Sequence, residues 1–140
     1  MADNVEGVEV GTTVSFEKTI TAEDIAKFTE ASGDTNPLHR DPQYAARTRF
    51  KEPIAHGMLS ASVISAALGT KLAPNSVVIY LGQSLRFLAP VKAGDTLTAC
   101  VEATGIDTER RHVMLDTVVT NQDGTEVLKG DARVLIDALR

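Results

Sequence analysis

The sequence predicts one α+β domain over residues 1–140, in which an antiparallel sheet wraps around a long central helix. The length of 140 residues and the 43% hydrophobic composition suit a single domain with a sizeable core. The segment from Gly57 to Leu72 is apolar or small on nearly every face, which is typical of a helix that the protein buries on most sides. After Pro74, apolar and polar residues alternate with the period of a sheet that has one covered face.

The first half of the chain predicts short helices joined by a loop. Thr21 with Asp24 resembles a capping box, so a helix should begin there. Gly33 is a natural end for this helix, which leaves residues 34–40 as a loop. Asp41 precedes a proline and can cap a second short helix that runs to about residue 47.

The second half of the chain predicts strands. Residues 76–88 are rich in β-branched and aromatic residues, and a first strand is also expected at residues 13–19. Three further segments alternate with a period of two: residues 96–103, 113–119 and 128–136. The sequence NQDG at residues 121–124 makes a hairpin turn. These tight connections predict an antiparallel meander, and its exposed edges predict a homodimer.

The composition argues against several kinds of partner. The chain has 14 basic and 19 acidic residues, a net charge of −5, and neither sign forms a block, which disfavours nucleic-acid and membrane-surface partners. Aromatic residues make up only 4%, so a stacking platform for single strands is not expected. Cys100 is the only cysteine, which suits a reducing compartment. With neither a secretory signal nor a membrane-spanning run in view, we expect a cytoplasmic protein.

The stretch GDTNPLHRD, residues 33–41, concentrates groups that can move protons. Asp34 and His39 lie on a loop that Pro37 stiffens and that Asn36 can hydrogen-bond. An imidazole titrates at about pH 6.5, and a nearby carboxylate can fix its tautomer, so the pair can take a proton from one atom and return it to another. Alternatively, Asp34 and Asn36 are only turn residues, and His39 satisfies a backbone carbonyl.

A second chemical feature is AHGMLSAS, residues 55–62, where Gly57 opens the apolar helix. Free amides at a helix N-terminus carry partial positive charge and glycine allows close approach, so this position can stabilise an oxyanion. The alternative is a glycine that serves only the tight turn into the helix. Ser62 and Ser65 share one helix face, where their hydroxyls can bond to helix carbonyls. No nucleophile elbow surrounds either serine, so covalent catalysis is not expected.

A metal site is the alternative for the histidines. His39 and Asp41 with either His56 or His112 could imitate a site of two histidines and one carboxylate. We disfavour this alternative because the chain lacks the strand-rich double-sheet pattern around such a motif, and because a metal would leave the glycine-led helix unexplained. The sequence therefore predicts neither a metal nor another cofactor.

The same residues resemble a known family. The stretch FTEASGDTNPLHRDPQYA, residues 28–45, resembles the hydratase 2 motif of R-specific enoyl-CoA hydratases, the MaoC-like group of hot-dog proteins. The likeness continues through EPIAHGMLSASVISAALG and IYLGQSLRFLAPVKAGDTL, residues 52–69 and 79–97, whereas the later strands match only in pattern. The chain length is similar to that of the small PhaJ-type subgroup, which has a single hot-dog unit and supplies polyhydroxyalkanoate synthesis.

The resemblance implies a fold, a reaction and a set of roles. It implies a hot-dog homodimer with the acyl tunnel at the subunit interface, and reversible hydration of trans-2-enoyl-CoA to (R)-3-hydroxyacyl-CoA without a cofactor. Asp34 and His39 would activate water and handle the proton at the α-carbon. Gly57 would donate its backbone N–H to the thioester oxygen, Ser65 would line the site, and Asn36 would shape the loop.

Other readings of the sequence remain open. A hot-dog acyl-CoA thioesterase, a 3-hydroxyacyl-ACP dehydratase and a non-catalytic acyl-binding subunit are the alternatives, although the intact Asp34 and His39 favour hydration. Leu68 and Ser65 are the expected floor of the acyl pocket. The carrier is either CoA or acyl carrier protein. Three basic residues are candidates for the CoA phosphates or are simply solvated: Lys51, Arg86 and Lys92.

Overall fold

The computed structural model describes residues 3–140. The strands in this range are β1 (Asn4–Val5), β2 (Val8–Glu9), β3 (Thr13–Thr19), β4 (Val77–Gln83), β5 (Arg86–Phe87), β6 (Thr96–Asp107), β7 (His112–Thr120) and β8 (Glu126–Asp137). The α-helices are α1 (Ala22–Ser32), α2 (Pro42–Ala45) and α3 (Gly57–Ala67). A 3₁₀ turn covers Pro37–His39, and a π-helical turn at Leu68–Leu72 continues α3. The sequence analysis did not predict the short β1–β2 hairpin.

A six-stranded antiparallel sheet forms the framework. Its strands follow the order β3-β6-β7-β8-β4, and β5 pairs with β8. The alternating apolar residues of β6, β7 and β8 are buried, and they form one hydrophobic core with the buried residues of α3. Since α3 also packs against β3, β6 and β7, the predicted sheet around a central helix is confirmed.

The strand connectivity differs from the predicted meander. The strands β6, β7 and β8 are antiparallel neighbours, but β4 pairs with β8 rather than with β6. Residues 76–88 also divide into two strands that both pair with β8, because between them the Asp131 backbone amide donates to the Ser84 hydroxyl oxygen at 2.9 Å and not to a backbone carbonyl. Gly130 lets Ser84 approach β8 closely at this point, since a Cβ atom on residue 130 would lie 1.8 Å from the Ser84 carbonyl oxygen. Because β4 is the last strand in the order β3-β6-β7-β8-β4, it forms an edge of the sheet.

The ends of α1 follow the sequence prediction. The Thr21 hydroxyl accepts from the Asp24 amide at 3.0 Å, and the Asp24 carboxylate accepts from the Thr21 amide at 3.0 Å, which completes the capping box. Gly33 ends the helix in the left-handed conformation with φ 78°, where glycine has no steric penalty. The helix α2 is capped by Asp41 as predicted but ends at Ala45, earlier than expected.

The helix α3 is less enclosed than the sequence predicts. Val63, Ile64 and Ala67 are buried against the sheet, whereas Met58 keeps 58% of its surface exposed. Ser62 and Ser65 are also exposed. The expectation that the protein buries this helix on most sides is therefore wrong for one face of α3, because no element of the described chain covers that face. No helix within residues 3–140 is long and apolar enough to cross a membrane.

Candidate active site

Side-chain hydrogen bonds shape the loop between α1 and α2. The backbone amide of Asn36 donates to Asp34 Oδ1 at 3.2 Å, and the backbone amide of Leu38 donates to the side-chain Oδ1 of Asn36 at 3.1 Å. Such bonds let Asp and Asn stabilise turns without a strand or helix partner. Pro37 then begins the 3₁₀ turn that ends at His39. The loop is thus an ordered structure that presents Asp34 and His39 from neighbouring turns.

The hydrogen bond of His39 determines its tautomer. Its Nδ1 lies 2.8 Å from the Ile54 carbonyl oxygen, which can only accept, so Nδ1 carries the proton. The lone pair on Nε2 is then available as a base. Asp34 is exposed, and it offers a carboxylate oxygen within 4.8 Å of a ring nitrogen of His39. The two side chains predicted to form an acid–base pair are therefore neighbours.

His56 is a third member of this cluster, and the sequence analysis assigned it no role of its own. It caps α3 by position and is only 2% exposed. Its ring stacks on the His39 ring, with centroids 4.0 Å apart and an interplanar angle of 29°. The ring of Phe28 lies 4.8 Å away at 54°. The position of His56 directly before Gly57 in the motif AHG is the sequence signal that could have identified it.

The surroundings of His56 favour its neutral form. Its Nε2 lies 3.3 Å from the Asp34 carbonyl oxygen and 3.2 Å from Thr29 Oγ1. Its Nδ1 is buried and has no hydrogen-bond partner among the described residues, an arrangement that typically costs about 1–3 kcal/mol. Burial lowers the pKa of His56 below its ordinary value of 6.5, and the positive charge that His39 can carry lowers it further. The hydrogen bond to the Asp34 backbone and the Asp34 charge act in the opposite direction.

Gly57 places the start of α3 beside His39. Its amide is the first of the helix, and the N-cap His56 makes no side-chain hydrogen bond to the helix amides. These amides lie at the positive end of the helix dipole. A Cβ atom on Gly57 would approach the Phe87 ring to 2.9 Å, so the glycine also makes room for that ring. His39, Gly57 and Phe87 line one cavity of about 390 Å³.

A second, larger groove follows the exposed face of α3. It has a volume of about 510 Å³, and Ser62 and Ser65 line it together with apolar residues of α1, α3 and β4. The Ser62 hydroxyl donates to the Leu59 carbonyl oxygen at 2.5 Å, whereas none of the hydrogen bonds described for residues 3–140 involves the Ser65 hydroxyl. Leu68 does not line this groove. It is 2% exposed and belongs to the core, and its expected place on the pocket floor stays a prediction.

The metal site considered for the sequence does not form with its predicted ligands. Asp41 Oδ1 accepts from two amides at the start of α2, and His112 lies beside Arg133 on the sheet. The groups that do come together are Asp34, His39 and His56, within 4.8 Å. However, imidazole lone pairs lie in the ring plane, and the near-parallel rings of His39 and His56 direct theirs past one another. This arrangement suits proton transfer better than metal ligation.

The basic candidates for CoA phosphates are dispersed. The Lys92 ammonium pairs with Glu52 at 3.6 Å, and Arg86 lies opposite Lys129 in the sheet. Arg49, which the sequence analysis did not select, lines the same cavity as His39 and Gly57. The run of basic residues between positions 40 and 51 was its sequence signal.

The fold and the site define a class of protein. An antiparallel sheet around a central helix, with the loop of Asp34 and His39 beside the helix N-terminus, is a hot-dog fold. Residues 5–125 match the model of the MaoC-like domain, and the chain belongs to this family.

Similar proteins agree with this assignment. The chain is 47% identical over 133 residues to the (R)-specific enoyl-CoA hydratase of Rhodospirillum rubrum, covering 95% of this chain and 91% of the relative. It is 43% identical over 131 residues to the enzyme of the same name from Aeromonas caviae, covering 94% and 97%. The solved structure of the (R)-hydratase from A. caviae involved in PHA biosynthesis superposes with a TM-score of 0.86, at 43% identity and over 92% of this chain and 97% of that chain.

Proposed function

We propose that this protein adds water reversibly to trans-2-enoyl-CoA to give (R)-3-hydroxyacyl-CoA, as a hydro-lyase that needs no cofactor. One observation carries the proposal: His39 and Gly57, the first residue of α3, line one cavity, and an Asp34 carboxylate oxygen lies within 4.8 Å of a ring nitrogen of His39. This chain's similarity to two (R)-specific enoyl-CoA hydratases, at 47% and 43% identity over nearly the whole chain, supports the proposal.

The thioester carbonyl binds at the N-terminus of α3 in this proposal. Addition of water to an enoyl thioester places negative charge on the carbonyl oxygen. The Gly57 amide donates a hydrogen bond to that oxygen, and the helix dipole adds to the stabilisation. Arg49, at the same cavity, is placed to meet the charged part of the carrier.

Asp34 and His39 move the protons. The oxygen of water bonds to C3 while the pair takes a proton from that water, and the pair returns a proton to C2. His39 acts through Nε2, because Nδ1 is engaged by the Ile54 carbonyl. Since both groups lie on one loop, the hydroxyl and the proton reach the same face of the double bond, which makes the addition syn.

The acyl chain occupies the groove along α3, and a second copy of the chain covers that groove. The edge strand β4 exposes Ile79 and Leu81 by 44% and 45%, and Met58 on α3 is exposed by 58%. An open strand edge with apolar side chains favours pairing with another chain. Sedimentation of the purified protein should therefore give a dimer, and Ile79→Lys should give a monomer with reduced activity. A wild-type monomer would contradict this part of the proposal.

The cellular setting follows from the chemistry. The product is an (R)-3-hydroxyacyl thioester, and the A. caviae hydratase with the same fold is described as involved in PHA biosynthesis. We place this protein in the cytoplasm, feeding polyhydroxyalkanoate synthesis from fatty acid β-oxidation.

The decisive experiment uses purified protein and crotonyl-CoA. We expect the ultraviolet absorbance of the enoyl thioester to fall without release of free thiol, and a chiral assay to identify (R)-3-hydroxybutyryl-CoA. Release of thiol without hydration would identify a thioesterase instead. Activity on crotonyl-ACP alone would identify a carrier-protein dehydratase, and no activity on either substrate would favour an acyl-binding subunit.

A further inference from the structure

His56 connects the three groups to which the proposed function assigns chemistry. Its ring stacks on His39, its Nε2 lies 3.3 Å from the Asp34 carbonyl oxygen, and Gly57 is its neighbour in the chain. We propose that His56 is a positioning residue, whose neutral imidazole holds the Asp34 backbone and the His39 ring in the arrangement that proton transfer requires. This inference rests on the proposed hydratase function.

The partners of His56 identify the nitrogen that carries its proton. Thr29 Oγ1 lies 3.2 Å from Nε2, and the Thr29 hydroxyl already donates to the Ile25 carbonyl oxygen at 2.9 Å. Thr29 can therefore only accept from the ring, as can the Asp34 carbonyl oxygen. Nε2 is the protonated nitrogen, and its N–H links the end of helix α1 to the loop that carries Asp34.

A residue that only filled space here would not need an imidazole. The buried Nδ1 of His56 has no partner among the described residues, and an apolar side chain of similar shape would avoid this penalty. What the imidazole supplies and a phenyl ring does not is the Nε2–H that reaches Asp34. A local arrangement that is unfavourable for stability, next to reacting groups, is typical of a functional site.

His56 also has to remain neutral for His39 to act as a base. When His39 takes a proton, a positive charge forms on a ring 4.0 Å from the ring of His56, and a second cation there would oppose it. The titratable groups that face His56 are His39 and Asp34, while Phe28 and Thr29 of α1 are uncharged. Burial therefore protects the proton-accepting capacity of His39.

Four substitutions separate the hydrogen bond from the stacking contact. His56→Phe keeps an aromatic ring beside His39 but removes the donor. His56→Gln places an amide donor near the position of Nε2, whereas His56→Asn is one bond shorter and its amide falls short of Asp34. His112→Gln, at the start of β7 and beside Arg133, is the matched histidine control, and we expect it to leave kcat and KM unchanged.

The measurement is the initial rate of crotonyl-CoA hydration, with circular dichroism to verify folding. We expect His56→Phe and His56→Asn to lower kcat by about tenfold to 10²-fold with KM changed less than about twofold, because misplaced groups affect the reacting step. His56→Gln should retain several times more activity than His56→Asn. A His56→Phe variant within about twofold of wild type, or equal kcat in the two amide variants, would overturn the proposal. If the phenylalanine variant does not fold, the two amide variants decide.

Nitrogen-15 NMR of the wild-type imidazoles gives a readout that does not depend on turnover. At about pH 7.5, above the ordinary histidine value, we expect His56 as the neutral tautomer with its proton on Nε2. A charged ring or an Nδ1–H tautomer contradicts the positioning role. Wild-type protein with the expected tautomer and no hydration of crotonyl-CoA contradicts the proposed function instead.

Discussion

The long strands and the segment 33–57 are stabilised in different ways. In β6, β7 and β8 the backbone pairs with itself, and alternate side chains fill the core. In the segment 33–57, the backbone bonds are mostly short-range turn and helix bonds, and side chains supplement them. Four side chains each accept from the amide two residues further along the chain: Asp34, Asn36, Asp41 and Thr48. The strands thus provide stability, while the segment holds reactive groups on irregular backbone.

This difference separates effects on folding from effects on chemistry. A substitution in the strands should change the free energy of unfolding and leave the turnover of folded molecules intact. A substitution in the segment 33–57 should do the reverse. Four substitution experiments, ordered from the largest expected effect to the smallest, can break or sharpen this separation.

The acid–base pair should show the largest effect. Asp34→Asn and His39→Gln each remove a group to which we assign proton transfer, so we expect kcat to fall by about 10²–10⁴-fold. Because Asp34 is exposed and His39 is half-buried, urea unfolding of both variants should remain close to wild type. Near-normal turnover in either variant would refute the proposed mechanism.

A substitution in the core of the sheet should lower stability and leave turnover unchanged. Leu115 on β7 is 1% exposed, so Leu115→Ala removes buried methyl groups and leaves a cavity. We expect a loss of about 2–5 kcal/mol in the free energy of unfolding, measured by urea titration. The rate per folded molecule should be unchanged, and a fall in that rate larger than about threefold would show that the sheet and the site are coupled.

The glycine at the start of α3 should show an intermediate effect on activity. In Gly57→Ala the new methyl group meets the Phe87 ring at 2.9 Å and crowds the amide proposed to bind the thioester oxygen. We expect kcat to fall by about tenfold or more. Gly69→Ala is the matched control, since a Cβ atom there meets nothing within 4 Å. Equal activity of the two variants would argue that Gly57 serves only the turn.

The acidic pair on the sheet should show the smallest effect. Asp116 lies opposite Asp131 on β8 and Glu102 on β6. Desolvation, together with these facing carboxylates, raises the pKa of Asp116 above its ordinary value of 3.8. Asp116→Asn should therefore stabilise the fold at neutral pH, by about 0.2–1 kcal/mol because water screens an exposed pair.

The size of this effect depends on pH. A carboxyl whose pKa is raised by folding destabilises the folded state above that pKa, and the penalty disappears below the unfolded value of 3.8. Urea titrations at several pH values should show the advantage of Asp116→Asn shrinking as the pH falls. An advantage that grows towards acid pH would contradict this interpretation.

The local elements were predictable because their signals are local. The capping box at Thr21, the left-handed Gly33 and the alternation of β6 to β8 each require only a few neighbouring residues. The pairing of β4 with β8 was not predictable in this way. It depends on the contact between Ser84 and Gly130, which are far apart in the chain, and no periodicity reports such a contact.

The site was predictable in part. The GDTNPLH loop shows Asp34 and His39 together in sequence, so their proximity could be expected. His56 was missed because its contacts with the Asp34 carbonyl oxygen and the His39 ring join residues 22 and 17 positions apart in the sequence. The burial of Leu68 in the core was not predictable, because helical spacing gives the face of a residue but not whether that face meets the sheet or the groove.

The most direct test of the account is hydration of crotonyl-CoA in heavy water, with the position of deuterium at C2 determined by NMR. If Asp34 and His39 deliver both the hydroxyl and the proton from one loop, the product carries a single deuterium at C2 on the same face as the new C3 hydroxyl. Deuterium on the opposite face, or at both C2 positions with equal probability, would contradict the central claim that one acid–base pair performs the whole addition.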